Sequence, residues 1–179
     1  SAGLDYKPGY YATTEDVIRI VDIARGSRTF FTNHDRVTPE SNFSSIAGMA
    51  ETIAIGARSG LTPIITHMKV QGREQGRAGD ILKQMRDATD RGNYTAADVY
   101  PYLAGQTGLV SLIIPGWAQD GGREAMLQRF ADPAQRQRIV REAEEAMNAR
   151  FGGAAGIYLP ATNQELTAVM QTMNVTAGE

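Results

Sequence analysis

Three short β-prone runs alternate with helical patterns in the first hundred residues, and each run ends at a side chain that can take part in chemistry. His34, His67 and Tyr100 stand at these ends, at a constant interval of 33 residues. One βαβ unit needs roughly 30 residues or more, so the interval predicts repeated βα units and a parallel sheet. Parallel strands end at one edge of a sheet, where α/β proteins carry their sites. We therefore expect the three side chains to meet at that edge.

The predicted elements of this region follow the order α-β-α-β-α-β. A Thr13-x-x-Asp16 pattern resembles a capping box at the start of the first helix, and Ser41 or Ser44 can cap the second. The third predicted helix covers Asp80 to Arg91. Glycines follow the three helices, and the predicted strands lie between them: the glycines are Gly26, Gly60 and Gly92, and the strands cover 29–32, 61–67 and 94–100.

The pattern changes after Tyr102. Residues 103–121 contain several glycines and prolines and the single tryptophan, which predicts a long loop. Helical patterns follow, with one short extended piece between them: the helices cover 122–131, 133–150 and 163–173, and the extended piece covers 157–160. We interpret this part of the chain as a helical insertion on the loop side of the sheet.

The composition excludes several classes of protein. With 18 Lys+Arg against 20 Asp+Glu, the net charge of −2 gives no general signal for nucleic-acid binding. No run approaches the roughly 20 apolar residues of a membrane span. The absence of cysteine excludes a disulfide framework and fits a cytoplasmic location. The 179 residues fall short of the roughly 200–250 residues of a complete eight-stranded α/β barrel.

The two histidines are the first candidates for a site. Neutral imidazole is the commonest zinc ligand, so His34 and His67, projecting from neighbouring strand ends, could share one ion. Both could equally be structural or substrate-contacting histidines. Asp35 and Asp98 could complete such a site by charge, or could cap loops as ordinary polar residues.

Three further side chains and one loop stand near these strand ends. Lys69 could hold an anionic substrate group or remain a solvated loop lysine. Tyr100 and Tyr102 share a strand face and could line a pocket or fill a core. The glycine-rich segment 72–79 does not match a phosphate-binding loop pattern, so we assign it no phosphate.

Several segments together resemble the N-acyl-D-amino-acid deacylases (D-aminoacylases) of the amidohydrolase superfamily. Residues 31–36 resemble the family motif T-H-M-R, residues 65–72 its I-S-H-x-K motif, and residues 98–107 its D-x-Y-P-Y-x-A-G-x-T motif. Residues 1–9 and 115–122 are similar to two further segments of the family. The likeness extends over nearly the whole chain, and the order of the motifs makes it specific.

The resemblance implies a (β/α)₈ TIM barrel with a small β-domain, and a zinc-dependent hydrolase that cleaves the amide bond of N-acyl-D-amino acids. It implies that His34 and His67 bind zinc, with one or two ions in the complete enzyme. Lys69 would contact the substrate carboxylate, and Tyr100 the carboxylate or the scissile carbonyl. Arg36 matches the motif arginine, to which we assign no role.

Two departures from the family pattern shape the expectations. Asp35 follows His34 where the family motif has methionine. The family's H-x-H and metal-binding cysteine would lie upstream of Ser1, and its catalytic aspartate downstream of Glu179, so this chain offers no catalytic residue of its own. We therefore expect the central portion of a deacylase, inactive alone, which self-associates through its open sheet or depends on the segments that it lacks.

The resulting hypothesis divides the chain into two regions of one catalytic domain. Residues 1–105 would form βα units of an incomplete amidohydrolase barrel, with about three parallel strands, and residues 106–179 the long loop and helical insertion. The expected partner is a small N-acyl-D-amino acid. Two alternatives stay open: a related amidohydrolase acting on a cyclic amide or imide, and a non-catalytic relative that binds a small molecule.

Overall fold

The computed structural model of the chain describes residues 1–27 and 29–173. The chain divides into two compact units, residues 1–103 and 104–179, and each unit is described by itself. That residues 1–105 and 106–179 belong to one catalytic domain remains a prediction. Among the described residues, no helix combines the length and the apolar character needed to cross a membrane.

The first unit is a parallel sheet of four strands with three helices, which confirms the α/β prediction. The strands are β1 (Ala2–Gly3), β2 (Phe30–His34), β3 (Thr62–Ile65) and β4 (Ala96–Ala97), in that order across the sheet. The helices are α1 (Thr14–Asp22), α2 (Ser45–Ser59) and α3 (Ala78–Asp90). Strand β1 was not predicted, because a strand of two residues is too short to show an alternating hydrophobic pattern.

Local signals set the helix ends. Thr13 and Asp16 form the predicted capping box at the start of α1. Of the two serines considered for α2, Ser44 is the cap, and its side chain accepts a hydrogen bond from the Ala47 amide. Gly60 ends α2 with φ 73°, a left-handed conformation that glycine adopts without strain.

Helix α2 joins the two apolar clusters of this unit. Its residue Ile55 packs in one cluster with Leu4, Phe31 and residues of α1, and its residues Met49 and Ile53 pack in the other with residues of β3 and α3. Helix α2 also contacts β3, α1 and α3 directly. The helix therefore forms the support behind the ends of β2 and β3.

The second unit is mainly helical. Its elements are α4 (Leu109–Ile113), α5 (Gly122–Ala131), α6 (Pro133–Phe151), β5 (Tyr158–Leu159), β6 (Gln164–Glu165) and α7 (Leu166–Met173). Strands β5 and β6 pair antiparallel. Ile113, Ala143, Met147, Ile157 and Leu166 form the apolar cluster of this unit.

Three predicted elements differ most from the structure. The predicted loop 103–121 contains the short helix α4. The last helix begins at Leu166 instead of residue 163, because Asn163 has φ 55° and the next two residues pair with β5. The predicted strand 94–100 reduces to Ala96–Ala97, since only these two residues pair with β3.

Candidate functional site

The structure brings His34 and His67 into direct contact at the carboxyl edge of the sheet. His34 is the last residue of β2, and His67 follows the end of β3 by two residues. The His34 Nδ1 and His67 Nε2 atoms lie 2.8 Å apart. The ring centroids of His67 and Tyr100 lie 6.3 Å apart, so all three strand ends contribute to one cluster.

Lys69 contacts the opposite side of the His67 ring. Its Nζ lies 3.1 Å from His67 Nδ1, 3.1 Å from the His67 carbonyl oxygen and 5.2 Å from the Tyr100 ring centroid. An ammonium group only donates, so His67 Nδ1 must accept and His67 Nε2 carries the proton directed at His34. Desolvation, together with the charges of Lys69 and His34, lowers the pKa of His67. The neutral imidazole, which is the form that binds metal, is therefore favoured.

The exit of β3 holds His67 in an unusual backbone conformation. Its φ is +43°, in the left-handed region. The His67 amide donates to Asp98 Oδ1 at 2.5 Å, and the next amide, that of Met68, donates to the Asp98 carbonyl at 2.8 Å. Asp98 therefore caps this exit, one of the two roles considered for it.

Asp35 belongs to a buried polar chain behind His34. The side-chain amide of Asn33 donates from Nδ2 to the Thr52 hydroxyl at 2.6 Å, and that hydroxyl donates to Asp35 Oδ1 at 2.6 Å. Desolvation outweighs the bond from Thr52 and the nearby His34 and Lys69, and it raises the pKa of Asp35 to about 6. These hydrogen bonds connect β2 to α2 next to the candidate ligand His34.

A small cleft of about 20 Å³ opens beside these groups. Its lining combines both candidate ligands with charged and polar side chains: His34, Asp35, Val37, Ser45, His67, Lys69 and Gln71. Lys69 supplies a cation at this cleft and Asp35 a carboxyl group, so the lining is polar and carries both signs of charge.

The motif residue Arg36 has a structural role. Its guanidinium binds the Glu51 carboxylate at 3.0 Å and donates to the carbonyls of Tyr10 and Ala12 at 3.0 and 2.7 Å. Both side chains of this ion pair are largely buried. Arg36 therefore ties the segment before α1 to the middle of α2.

The glycine-rich segment 72–79 also has a structural role. Glu74 accepts hydrogen bonds from the Ser44 hydroxyl at 2.7 Å and from the Ile46 amide at 3.1 Å. These donors lie at the start of α2, where a carboxylate satisfies free amides and interacts favourably with the helix dipole. The segment thus anchors the first turn of α2.

Two residues near the site were missed as site residues from the sequence. The Tyr6 ring centroid lies 4.5 Å from that of His34, and Asp5 Oδ2 lies 3.8 Å from His34 Nε2. Both follow β1, and an earlier recognition of that strand would have placed them at the same edge. Tyr102, in contrast, is 73% exposed, and its ring centroid lies 6.3 Å from that of Tyr100.

The two histidines fit two positions of a zinc site. Nitrogen ligands at about 2.0–2.1 Å from a tetrahedral zinc ion lie about 3.3 Å from each other. The 2.8 Å between His34 Nδ1 and His67 Nε2 approaches that separation, so a small shift of the rings would admit an ion. Within residues 1–27 and 29–173, no three His, Cys, Asp or Glu residues are arranged to hold a metal. The described residues therefore offer two of the four ligands.

No family model matches the chain. A D-aminoacylase from Alcaligenes xylosoxydans xylosoxydans is 32% identical over 108 residues, which cover 60% of this chain and 22% of that enzyme. The chain thus spans about a fifth of the length of this relative. The similarity confirms the resemblance to D-aminoacylases for that part of the chain.

Solved structures of deacylases are also similar. A D-aminoacylase studied for its binuclear metal centre has a TM-score of 0.50 and 23% identity, covering 62% of this chain and 23% of its own. An N-acyl-D-glutamate deacylase from Bordetella bronchiseptica, bound to zinc and a phosphonate inhibitor, has a TM-score of 0.48 and 28% identity, covering 55% of this chain and 20% of its own. The first of these likenesses supports the predicted α/β fold for the part of the chain that it covers.

Proposed function

We propose that this chain is part of a zinc-dependent deacylase of N-acyl-D-amino acids and supplies two metal ligands and a carboxylate anchor. The observation that carries the proposal is the contact between His34 and His67, with Lys69 held against the second ring. The named activity of the D-aminoacylase relative and the zinc of the N-acyl-D-glutamate deacylase are consistent with this reading.

Each of these side chains has a separate task. His34 and His67 would bind the ion as neutral imidazoles, and a bound zinc ion polarises an amide carbonyl and activates water. In the structure the Lys69 ammonium group donates to His67 at Nδ1 and at the carbonyl oxygen. A neutral imidazole that binds zinc through Nε2 carries its proton on Nδ1, so Lys69 would then keep only the bond to the carbonyl oxygen, and its other donors can bind the substrate carboxylate. Tyr100 lies beside Lys69 and would contact the same end of the substrate.

The proposal is tested by zinc and substrate binding. We expect zinc to bind the chain and His67→Ala to abolish binding, as measured by calorimetry. In the zinc-loaded chain, N-acetyl-D-glutamate should bind more tightly than its L enantiomer. Because Lys69→Met removes a charge-assisted hydrogen bond, it should weaken D-substrate binding about 10- to 100-fold while zinc affinity is retained. Equal affinities for both enantiomers, or an unchanged Lys69→Met variant, would contradict the proposal.

Binding of a cyclic imide distinguishes the main alternative, a cyclic-amide hydrolase, from the proposed deacylase. Such a compound lacks the carboxylate that Lys69 would bind, so its affinity should not depend on Lys69. Zinc-dependent binding of succinimide that exceeds binding of N-acetyl-D-glutamate would favour a cyclic-amide hydrolase. Binding of either ligand without any dependence on zinc would favour a non-catalytic relative.

The chain by itself should not turn over substrate. Two histidines leave zinc under-coordinated, and the resemblance gives the chain no proton-transferring aspartate. A coupled assay for released D-amino acid should therefore stay at the background rate, and a rate comparable to that of a complete deacylase would refute this expectation. A cytoplasmic location and self-association through the open sheet also stay predictions, and analytical ultracentrifugation at several concentrations tests the second.

A further inference from the structure

His67 occupies a backbone conformation that is uncommon for any residue other than glycine. Its φ of +43° lies in the left-handed region, where histidine is found more often than most residues but still at a cost in free energy. A strained residue of this kind persists only where the surroundings determine its conformation, and such residues concentrate at functional sites. The groups that fix His67 are therefore of interest for the candidate site.

The exit of β3 is fixed by three consecutive backbone amides. The Thr66 amide donates to the Asn33 carbonyl at 3.1 Å, and the Met68 amide donates to the Asp98 carbonyl at 2.8 Å. Between them, the His67 amide turns away from the ladder and donates to the Asp98 carboxylate at 2.5 Å. Asp98 is itself held in place, because its amide donates to the Ile65 carbonyl at 3.1 Å.

We infer that Asp98 is a positioning residue, whose carboxylate holds the His67 backbone in the left-handed conformation that directs the ring at His34. The carboxylate acts through the backbone amide and leaves both ring nitrogens to other partners, Nε2 to His34 and Nδ1 to Lys69. Without this acceptor, His67 relaxes toward negative φ and its ring leaves His34. The part of the inference that concerns zinc rests on the proposed function.

The test compares Asp98→Ala, which removes the acceptor, with Asp98→Asn, which keeps a side-chain oxygen in the same place. Removal of a residue that orients a ligand typically weakens metal binding about 10- to 100-fold. We expect Asp98→Ala to lose zinc affinity by that factor and to speed hydrogen exchange of the His67 amide at least about 10-fold. Asp98→Asn should restore both within a few-fold. Asp87→Ala, which removes a surface carboxylate paired with Lys83, is the matched control and should change neither quantity.

Two outcomes overturn the inference. In the first, Asp98→Ala keeps the His67 amide exchange rate and the zinc affinity of the wild-type chain. In the second, Asp98→Asn loses both as Asp98→Ala does. If the wild-type chain binds no zinc, the proposed function fails, and the exchange comparison still decides the role of Asp98.

A stability cycle covers the case in which Asp98→Ala unfolds too readily. Glycine adopts positive φ at little cost, so His67→Gly removes the strain that Asp98 is inferred to hold. Asp98→Ala should then destabilise the His67→Gly background less than the wild-type chain, as measured by urea unfolding. Equal destabilisation in both backgrounds overturns the inference.

Discussion

Replacing Thr52 by Val should destabilise the first unit far more than an ordinary change from threonine to valine. The Thr52 hydroxyl is fully buried, accepts from the Asn33 amide at 2.6 Å and donates to Asp35 at 2.6 Å. Valine keeps the size of the side chain and has a similar helix propensity, so the change isolates the hydrogen bonds of the hydroxyl, which also lies 3.4 Å from the Gly48 carbonyl. The single side-chain oxygen of Asn33, Oδ1, is buried and has no hydrogen-bond partner among the described residues.

The expected magnitude follows from the two bonds. A hydrogen bond to a charged carboxylate contributes about 1.5–3 kcal/mol, and a buried donor left without an acceptor costs about 1–3 kcal/mol. The additional methyl group of valine returns about 0.8 kcal/mol. We therefore expect Thr52→Val to lower the free energy of unfolding by about 2–5 kcal/mol. Thr52→Ser keeps the hydroxyl and loses one methyl group, which costs about 0.5–1.5 kcal/mol.

The two units require separate probes. The single tryptophan, Trp117, lies in the second unit, so its fluorescence during urea unfolding reports on that unit. Native-state amide exchange of β3 reports on the first unit. Ser59→Ala is a matched control on the same helix, because Ser59 is buried and makes one bond, to the Gly56 carbonyl at 3.3 Å. If Thr52→Val differs from Thr52→Ser by less than about 0.5 kcal/mol, the polar chain does not stabilise the unit.

Two further predictions concern a close backbone approach and a pH dependence. Gly48→Ala should destabilise the first unit by about 1–3 kcal/mol in urea denaturation, because the new Cβ would collide with the Arg36 carbonyl. The control is Gly79→Ala, which has open space at the Cβ position and should be neutral or stabilising in that assay. Burial raises the pKa of Glu142, but hydrogen bonds led by that from the Trp117 indole outweigh it and leave the pKa lowered. The stability that Glu142 contributes is therefore present above its unfolded pKa near 4.5 and is lost as the pH falls through the lower folded value. Acid titration of Trp117 fluorescence should show this loss. Glu142→Gln leaves no group to titrate at this position, so the pH dependence should be weaker in that variant.

The sequence was sufficient to predict the order of the larger elements and the position of the histidines. Helix caps and terminal glycines are local signals, so Thr13, Ser44 and Gly60 mark helix ends without knowledge of the fold. A constant interval between strand ends becomes proximity in a parallel sheet, since register aligns equivalent residues of neighbouring strands. This is why an interval of 33 residues indicated a contact that the structure gives as 2.8 Å between His34 and His67.

Contacts that depend on backbone dihedral angles could not be predicted in the same way. Asp98 and His67 are 31 residues apart, and their bond exists only because His67 has positive φ. The bond from Thr52 to Asp35 likewise requires a particular rotation of α2 against the sheet. Strands β1 and β4 have two residues each, so periodicity had no length over which to act.

The two candidate ligands owe their placement to different supports within the same unit. His34 continues a regular strand, and the polar chain through Thr52 ties the residues on either side of it, Asn33 and Asp35, to α2. His67 has left its strand, and its backbone is fixed by Asp98, which follows β4. A metal site is more precise on rigid elements than on loops. The distance between the two imidazole nitrogens is therefore controlled from both sides of the sheet edge, by a buried helix behind one ligand and by the neighbouring strand end beside the other.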